Sequence, residues 1–247
     1  MYGSKGKVGL LVPAGNRVII PECYRVAPAE VAFFETRMIV QGDWISEGSN
    51  FSMIDHARHG LEELKICKVD VCVLACTATS FLKGRAWDRT FAAEGEKEMG
   101  IPVTTTTLSL LEALRALKTR RIAIASPWTP DINKRAVEYL EASGFEVVHT
   151  CSEPIDRIRV NDQSPEFAYS LAVKANVPAA EGVCIFATDL RSIEILSSLE
   201  KTLKKPVVSS NQAILFNTLR LLNYESPIPG FGSLLEGPRI LETIPTQ

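Results

Sequence analysis

A cysteine at the end of an apolar run, followed at once by hydroxyl residues, is a combination that can move protons at carbon. Val71-Cys72-Val73-Leu74-Ala75-Cys76-Thr77 supplies it. A thiol titrates near enough to neutrality to serve as acid, base or nucleophile. Cys76 stands ahead of Thr77-Ala78-Thr79-Ser80, where a helix is expected to start. Free backbone N–H groups there are expected to lower its pKa and favour the thiolate. Later in the chain a related run, Val183-Cys184-Ile185-Phe186-Ala187-Thr188-Asp189, closes without a thiol. A second echo follows each run. Ile101-Pro102-Val103-Thr104-Thr105 precedes Leu110-Leu111-Glu112-Ala113-Leu114-Arg115, and Lys205-Pro206-Val207-Val208-Ser209-Ser210 precedes Leu215-Phe216-Asn217-Thr218-Leu219-Arg220. The pattern implies a duplicated unit with two facing acid/base positions, one of them filled.

The elements that must hold these residues alternate between strand and helix. In the first half, strands are expected over Val8–Val12, Val31–Val40, Val71–Ala75 and Val103–Thr105. Helices are expected over Asn50–Leu64 with Ser52 as a cap, over Trp87–Met99 ended by Gly100 and Pro102, and over Ser109–Leu117. The second half repeats the order, with strands at Arg121–Ala125, Glu146–His149, Gly182–Phe186 and Pro206–Ser209. Its helices are Pro130–Ser143, stopped by Gly144, then Pro165–Asn176, Ser192–Leu203 and Gln212–Leu222. Continuous β-branched runs such as Val71–Ala75 belong to parallel sheets buried on both faces. The alternation predicts parallel α/β sheets with right-handed crossovers, whose ligands sit at the carboxyl ends of the strands. The small polar clusters fall at those ends: Pro13-Ala14-Gly15-Asn16, Cys76 to Ser80, Ser126-Pro127-Trp128, Ala187-Thr188-Asp189 and Ser209-Ser210-Asn211.

Composition narrows the function classes. A 247-residue chain with 46% hydrophobic and 23% charged residues holds one large or two small globular domains. A net charge of −2 gives no electrostatic case for nucleic acid or a membrane surface as partner. The segment Met1–Lys7 is polar and Val8–Pro13 is too short for a signal or membrane span, so a cytoplasmic location is expected. The six cysteines are scattered, form no CxxC pair and accompany only three histidines, which argues against both a disulfide framework and a zinc site. Cys72 and Cys184 lie mid-strand and read as small core hydrophobes. Asp55-His56 and His59 read as a solvated helix face, Arg120-Arg121 as a charged helix–strand junction, and Gly230-Phe231-Gly232 as a turn rather than a nucleotide loop. Trp44, Trp87 and Trp128 are too dispersed to stack on bases.

Four patterns carry a resemblance: Val12-Pro13-x-x-Asn16, Ala75-Cys76-Thr77-x-x-Ser80-Phe81, Thr188-x-Leu190-Arg191 and Pro206-Val207-Val208-Ser209-Ser210-Asn211-Gln212. With Asp55-His56-Ala57-Arg58 and Pro229-Gly230-Phe231-Gly232, they span Val8 to Gly232. They resemble the aspartate/glutamate racemase superfamily, nearest to its maleate cis-trans isomerase and arylmalonate decarboxylase branch. The resemblance implies two pseudo-symmetric, flavodoxin-like parallel-sheet domains with the active site at their interface. On that basis, residues 1–107 with 212–247 form one domain, the C-terminal helix returning to it, and 108–211 form the other. It implies no metal and no cofactor, a small (di)carboxylate as the only partner, and leaves room for a homo-oligomer. In such proteins two cysteines face each other across the substrate.

Carried onto this sequence, Cys76 matches the first cysteine. The second falls on Ala187 when counted from Leu190-Arg191 or Pro206, and on Thr188 when the apolar runs are aligned; Ala187 is favoured, because Cys76-Thr77 then pairs with Ala187-Thr188. An enediolate needs preorganised donors at its carboxylate oxygens. Thr77 and the N–H of Ala78 are the candidates beside Cys76, with Thr188 opposite, Asn16 on a carboxylate, and Ser210 and Asn211 as supports. Trp128 stands where relatives carry a tyrosine. Asp189 puts a carboxylate into the site unless it turns away or pairs with Arg191. Three functions compete, in this order: a maleate isomerase-like isomerase or racemase using Cys76 as nucleophile or base; a one-thiol decarboxylase of a substituted malonate with Cys76 as proton donor; and a non-catalytic carboxylate-binding protein.

Overall fold

The computed structural model describes residues 2–39 and 47–237. Its first half runs β1 (Gly6–Pro13), α1 (Ile19–Val26), β2 (Val31–Met38), α2 (Glu47–Ile66), β3 (Val71–Leu74), α3 (Thr77–Lys83), α4 (Arg85–Met99), β4 (Val103–Thr105) and α5 (Thr106–Ala116). The second runs β5 (Arg121–Ser126), α6 (Pro130–Glu141), β6 (Glu146–Ser152), α7 (Arg157–Val160), α8 (Pro165–Ala175), β7 (Gly182–Ile185), a 3-10 turn Ile193–Ile195, α9 (Leu196–Leu203), β8 (Val207–Ser209), α10 (Ser210–Leu221) and α11 (Ser233–Glu236). The strands form two parallel four-stranded sheets of like order, β2-β1-β3-β4 and β6-β5-β7-β8. This is the flavodoxin-like order 2-1-3-4, so the expected α/β class with duplicated parallel sheets is what the chain adopts.

Alternation along the central strands explains the layering. Val8, Leu10 and Val12 of β1, with Val71, Val73 and Ala75 in and after β3, enter a core that continues through the second sheet. Leu11, Cys72 and Leu74 point the other way, onto Met53, Ala57, Leu61 and Leu64 of α2 and Phe91 of α4. Both faces are apolar because both are covered. Cys72 and Cys184 are fully buried, as core cysteines should be. Gly100 ends α4 in a left-handed conformation, φ 72°, in keeping with its expected role as a stop.

Several boundaries differ from expectation. α2 begins at Glu47, so Ser52 lies within the helix rather than capping it. α5 starts at Thr106, three residues early, because the Thr105 side chain accepts the Leu108 N–H at 3.1 Å and caps it. Ser209 does the same for α10 through the Gln212 N–H at 3.3 Å. The helix expected over Ser192–Leu203 is split into a 3-10 turn and α9. Three helices, α1, α7 and α11, escape the reading altogether. Trp44 and Val40 lie outside the described residues.

Candidate active site

In a 2-1-3-4 sheet the order reverses between β1 and β3, and the loops leaving their carboxyl ends diverge to open a crevice. Pro13 to Asn16 and Cys76 occupy that point in the first sheet, Ser126 to Trp128 and Ala187 in the second. The registers fix which residues are equivalent. Leu74 pairs with Thr105, the cap of α5, and Ile185 pairs with Ser209, the cap of α10. The Ala75 N–H bonds the Leu11 carbonyl at 2.9 Å, and the Phe186 N–H bonds that of Ala125 at 2.9 Å. Ala75 therefore corresponds to Phe186, and Cys76 to Ala187 rather than Thr188. Ala187 has a φ of 93°. A side chain held in that region stores about 1–3 kcal/mol of strain, which persists where the surroundings over-determine the loop.

Cys76 is the residue before α3, in extended conformation at φ −142°, and is half-buried. Its sulfur accepts the Thr79 hydroxyl at 3.1 Å, and the Thr79 and Ala78 N–H groups also favour the thiolate. The net pKa is nonetheless raised: burial outweighs these donors, and the nearby Asp189 carboxylate adds to the effect. The lowered pKa expected from the strand end is thus reversed, because the thiolate loses more by leaving water than these donors return to it. A neutral thiol is a proton donor first, and a nucleophile once its proton has been removed.

The other residues singled out in the sequence converge on the same loops, mostly through one another. Thr188 Oγ1 accepts the Asn16 Nδ2 amide at 3.0 Å and donates to the Ala75 carbonyl at 3.2 Å, tying the second-half loop to the residue before Cys76. Asn16 Oδ1 meanwhile accepts the Val18 and Ile19 N–H groups at 2.9 and 3.1 Å, starting α1. Thr77 donates to Ser210 Oγ at 3.0 Å, with both side chains buried. Asn211 Nδ2 donates to the Thr188 carbonyl at 3.0 Å and to Glu22 at 2.7 Å. Trp128 is buried, its ring stacked on Phe186 at 5.7 Å and edge-on to Phe81 at 6.0 Å. Asp189 does not pair with Arg191, whose guanidinium is bound to Glu194 at 2.7 Å. Its charge neighbour is Arg157, and burial raises its carboxyl to about 6 against that attraction.

Glu22, Arg157, Asp88 and Tyr139 have no place in the sequence reading. Glu22 is buried on α1; its Oε1 accepts the Ser192 and Ile193 N–H groups at 2.7 and 3.0 Å and its Oε2 accepts Asn211, so it clamps the loop that follows Ala187. The buried stripe Ile19, Cys23 and Val26, spaced at helical intervals, was the signal for this helix. Arg157 opens α7, and its Nη1 lies so close to Gly15 that a Cβ there would be 3.5 Å away. Asp88 on α4 is fully buried and accepts Ser80 Oγ at 2.5 Å, Thr105 Oγ1 at 3.0 Å and the Tyr139 hydroxyl of the second half at 2.7 Å. Asp55, His56 and His59 are exposed, as a solvated face should be. Glu181 accepts the Arg120 and Arg121 N–H groups at 2.8 and 3.0 Å, a charged junction as expected. Among the described residues no group of three or more His, Cys, Asp or Glu could hold a metal ion, and no helix is long and apolar enough to cross a membrane.

Comparison with known proteins agrees with this fold. A family model described as arylmalonate decarboxylase matches residues 8–235. The chain is 24% identical over 246 residues to a maleate isomerase of Geobacillus stearothermophilus, covering 94% of this chain and 97% of that protein. It is 26% identical over 236 residues to the arylmalonate decarboxylase of Bordetella bronchiseptica, covering 93% and 96%. In structure it is similar to a cysteine-to-serine mutant of Nocardia farcinica maleate cis-trans isomerase with a covalently bound succinylcysteine intermediate. There the TM-score is 0.88 at 23% identity, over 94% of this chain and 98% of that one.

Proposed function

This chain belongs to the arylmalonate decarboxylase family, and from that premise we propose that it is a cofactor-independent isomerase acting on a small dicarboxylate in the manner of maleate isomerases. The observation that supports this most is Cys76 at the switch point of the first sheet, its sulfur ringed by the Thr79 hydroxyl and the Ala78 and Thr79 amides, with Ala187 as its register counterpart in the second sheet. Cys76 is the nucleophile, adding to the double bond so that the remaining single bond can rotate. The N–H groups that steady the sulfur leave the site with donors for a substrate carboxylate as charge develops on it. Thr188 and Asn16 hold the two strand-end loops together, and Thr77, Ser210 and Asn211 form the buried support behind them. A covalent succinylcysteine in the Nocardia farcinica enzyme is the chemistry this arrangement asks of Cys76.

A second reading has its own observation. The Cys76 thiol is held neutral, which is the form a decarboxylase needs to protonate an enediolate from one face after loss of CO₂. The test assays the wild type and Cys76→Ala with maleate, monitoring fumarate, and with aryl- and alkylmalonates, monitoring CO₂. Fumarate formation that vanishes in the variant supports isomerisation, and CO₂ release that vanishes supports decarboxylation. Neither activity, together with a Cys76 that resists alkylation and is not shielded by maleate, would mean a binding protein.

A further inference from the structure

If one thiol serves this site, the other side still needs a group that can give and take a proton, and the loop after β7 carries one. Asp189 follows Ala187 and Thr188, and the structure pins the loop on both sides of it. Thr188 is bound to Ala75, Asn16 and Asn211, while the Leu190 N–H closes a turn onto the Ala187 carbonyl at 3.4 Å. Beyond the turn, Ser192 and Ile193 are held by Glu22. With both flanks fixed, the Asp189 backbone cannot swing away from the crevice without breaking these bonds.

The carboxylate accepts its own backbone N–H and lies within electrostatic reach of both Cys76 and Arg157. Arg157 in turn lies against Gly15 at the carboxyl end of β1. Asp189, Cys76, Arg157 and Gly15 therefore gather where the ends of β1, β3 and β7 meet, with Thr188, the neighbour of Asp189, bonded to Ala75, the neighbour of Cys76. The other charged groups nearby are committed elsewhere: Arg191 to Glu194, and Glu22 to the loop amides and Asn211. Phe186 and Leu190 on either side of this stretch are fully buried, while Asp189 itself is half-buried.

We propose that Asp189 is the second proton-transfer residue of this site, standing in for the thiol that Ala187 lacks. This rests on the isomerase reading. Asp189 takes the Cys76 proton, directly or through one water, so the S–H bond breaks and a carboxyl O–H forms. The thiolate adds to one alkene carbon; the π pair moves to the other carbon, which takes the proton from Asp189. Rotation about the C–C single bond then brings the other hydrogen of that carbon to Asp189, which removes it; the double bond re-forms as the trans isomer, the C–S bond breaks, and the thiolate recovers its proton from Asp189. Atoms and electrons balance with no co-reactant. A carboxyl raised by burial to about 6 can both release and take up a proton near neutrality, as a group that acts as base and acid in turn must.

The test uses maleate with the wild type, Asp189→Asn, Asp189→Glu, Cys76→Ala and the double variant Ala187→Cys/Asp189→Asn, and follows the rate of iodoacetamide alkylation of Cys76 against pH in the same proteins. Asp189→Asn should lose about 100-fold in kcat with KM little changed, Asp189→Glu should keep a measurable part, and adding Ala187→Cys should return at least about tenfold. The alkylation profile should lose its acid-side step, near pH 6 in the wild type, in Asp189→Asn. A kcat for Asp189→Asn within about threefold of wild type overturns the assignment, as does an added cysteine that restores nothing. Should wild type not turn over maleate, the isomerase reading fails on its own. The alkylation arm then still decides on Asp189: identical profiles in wild type and Asp189→Asn would mean that its carboxylate does not act on Cys76.

Discussion

At the scale of single residues, the site is a contest between burial and hydrogen bonding, and burial wins. Cys76 has three favourable donors and still rests neutral. Asp189 shows the same balance with a sign that can be tested. Its carboxyl is raised from 3.8 to about 6, so the folded state holds the proton more tightly than the unfolded chain. The ionisation penalty is absent below about pH 4, grows through the window up to about 6, and stays thereafter. A shift of that size would cost ~3 kcal/mol at full burial, and about 1–2 kcal/mol after allowing for the partial exposure of the side chain. Asp189→Asn should therefore be more stable than wild type by about 1–2 kcal/mol at pH 7 and equal to it near pH 4, measured by urea unfolding at the two pH values. Loss of activity with gain of stability is the usual trade at a functional group. A second expectation concerns the strained neighbour: Ala187→Cys should raise maleate isomerisation at least tenfold, about 1.4 kcal/mol in barrier, in a steady-state assay.

At the scale of elements, α1 and α4 do more than cover a sheet. Glu22 brings α1 into contact with the second-half loop through three donors, so replacing it changes a clamp. In Glu22→Gln one donor must face another, which should cost about 2 kcal/mol in urea unfolding and lower kcat as the 187–193 loop loosens. Asp88 links α3, β4 and α6 through Ser80, Thr105 and Tyr139. Tyr139→Phe removes one of the donors that make this buried carboxyl tolerable and should cost about 1–3 kcal/mol, read as a fall in the urea midpoint. These links were not legible in the sequence for a physical reason. Local spacing marks a helix such as α1, but a lone Glu on an amphipathic helix looks like any solvated acid until the partner 170 residues away is placed beside it. The caps were legible in kind only: Thr105 and Ser209 sat in recognised clusters, yet their bonds to Leu108 and Gln212 moved both helix starts forward.

At the scale of the molecule, one apolar core runs through both halves, from Val8 and Val73 in the first sheet to Ile124 and Ile185 in the second. α5 and α10 share in it, and Asn217 of α10 donates to Thr104 and Ser109 of the first half at 3.3 and 3.1 Å. The halves should then unfold as one unit. Cys72 in β3 and Cys184 in β7 are buried thiols raised to about 12, and they report on the two sheets separately. Pulse alkylation read by mass spectrometry should find both becoming reactive at the same urea concentration; two separate midpoints would mean that the halves come apart first. The sequence by itself determined the strand–helix alternation, the two related sheets, and Cys76 without a matching thiol, because apolar periodicity and residue type are local properties. Only the tertiary structure decided that Cys76 rests neutral and that Arg157 rather than Arg191 is the charge neighbour of Asp189; to Ala187, already favoured over Thr188 by the sequence, it added the strand register. Register, burial and charge proximity are set by which distant segments meet.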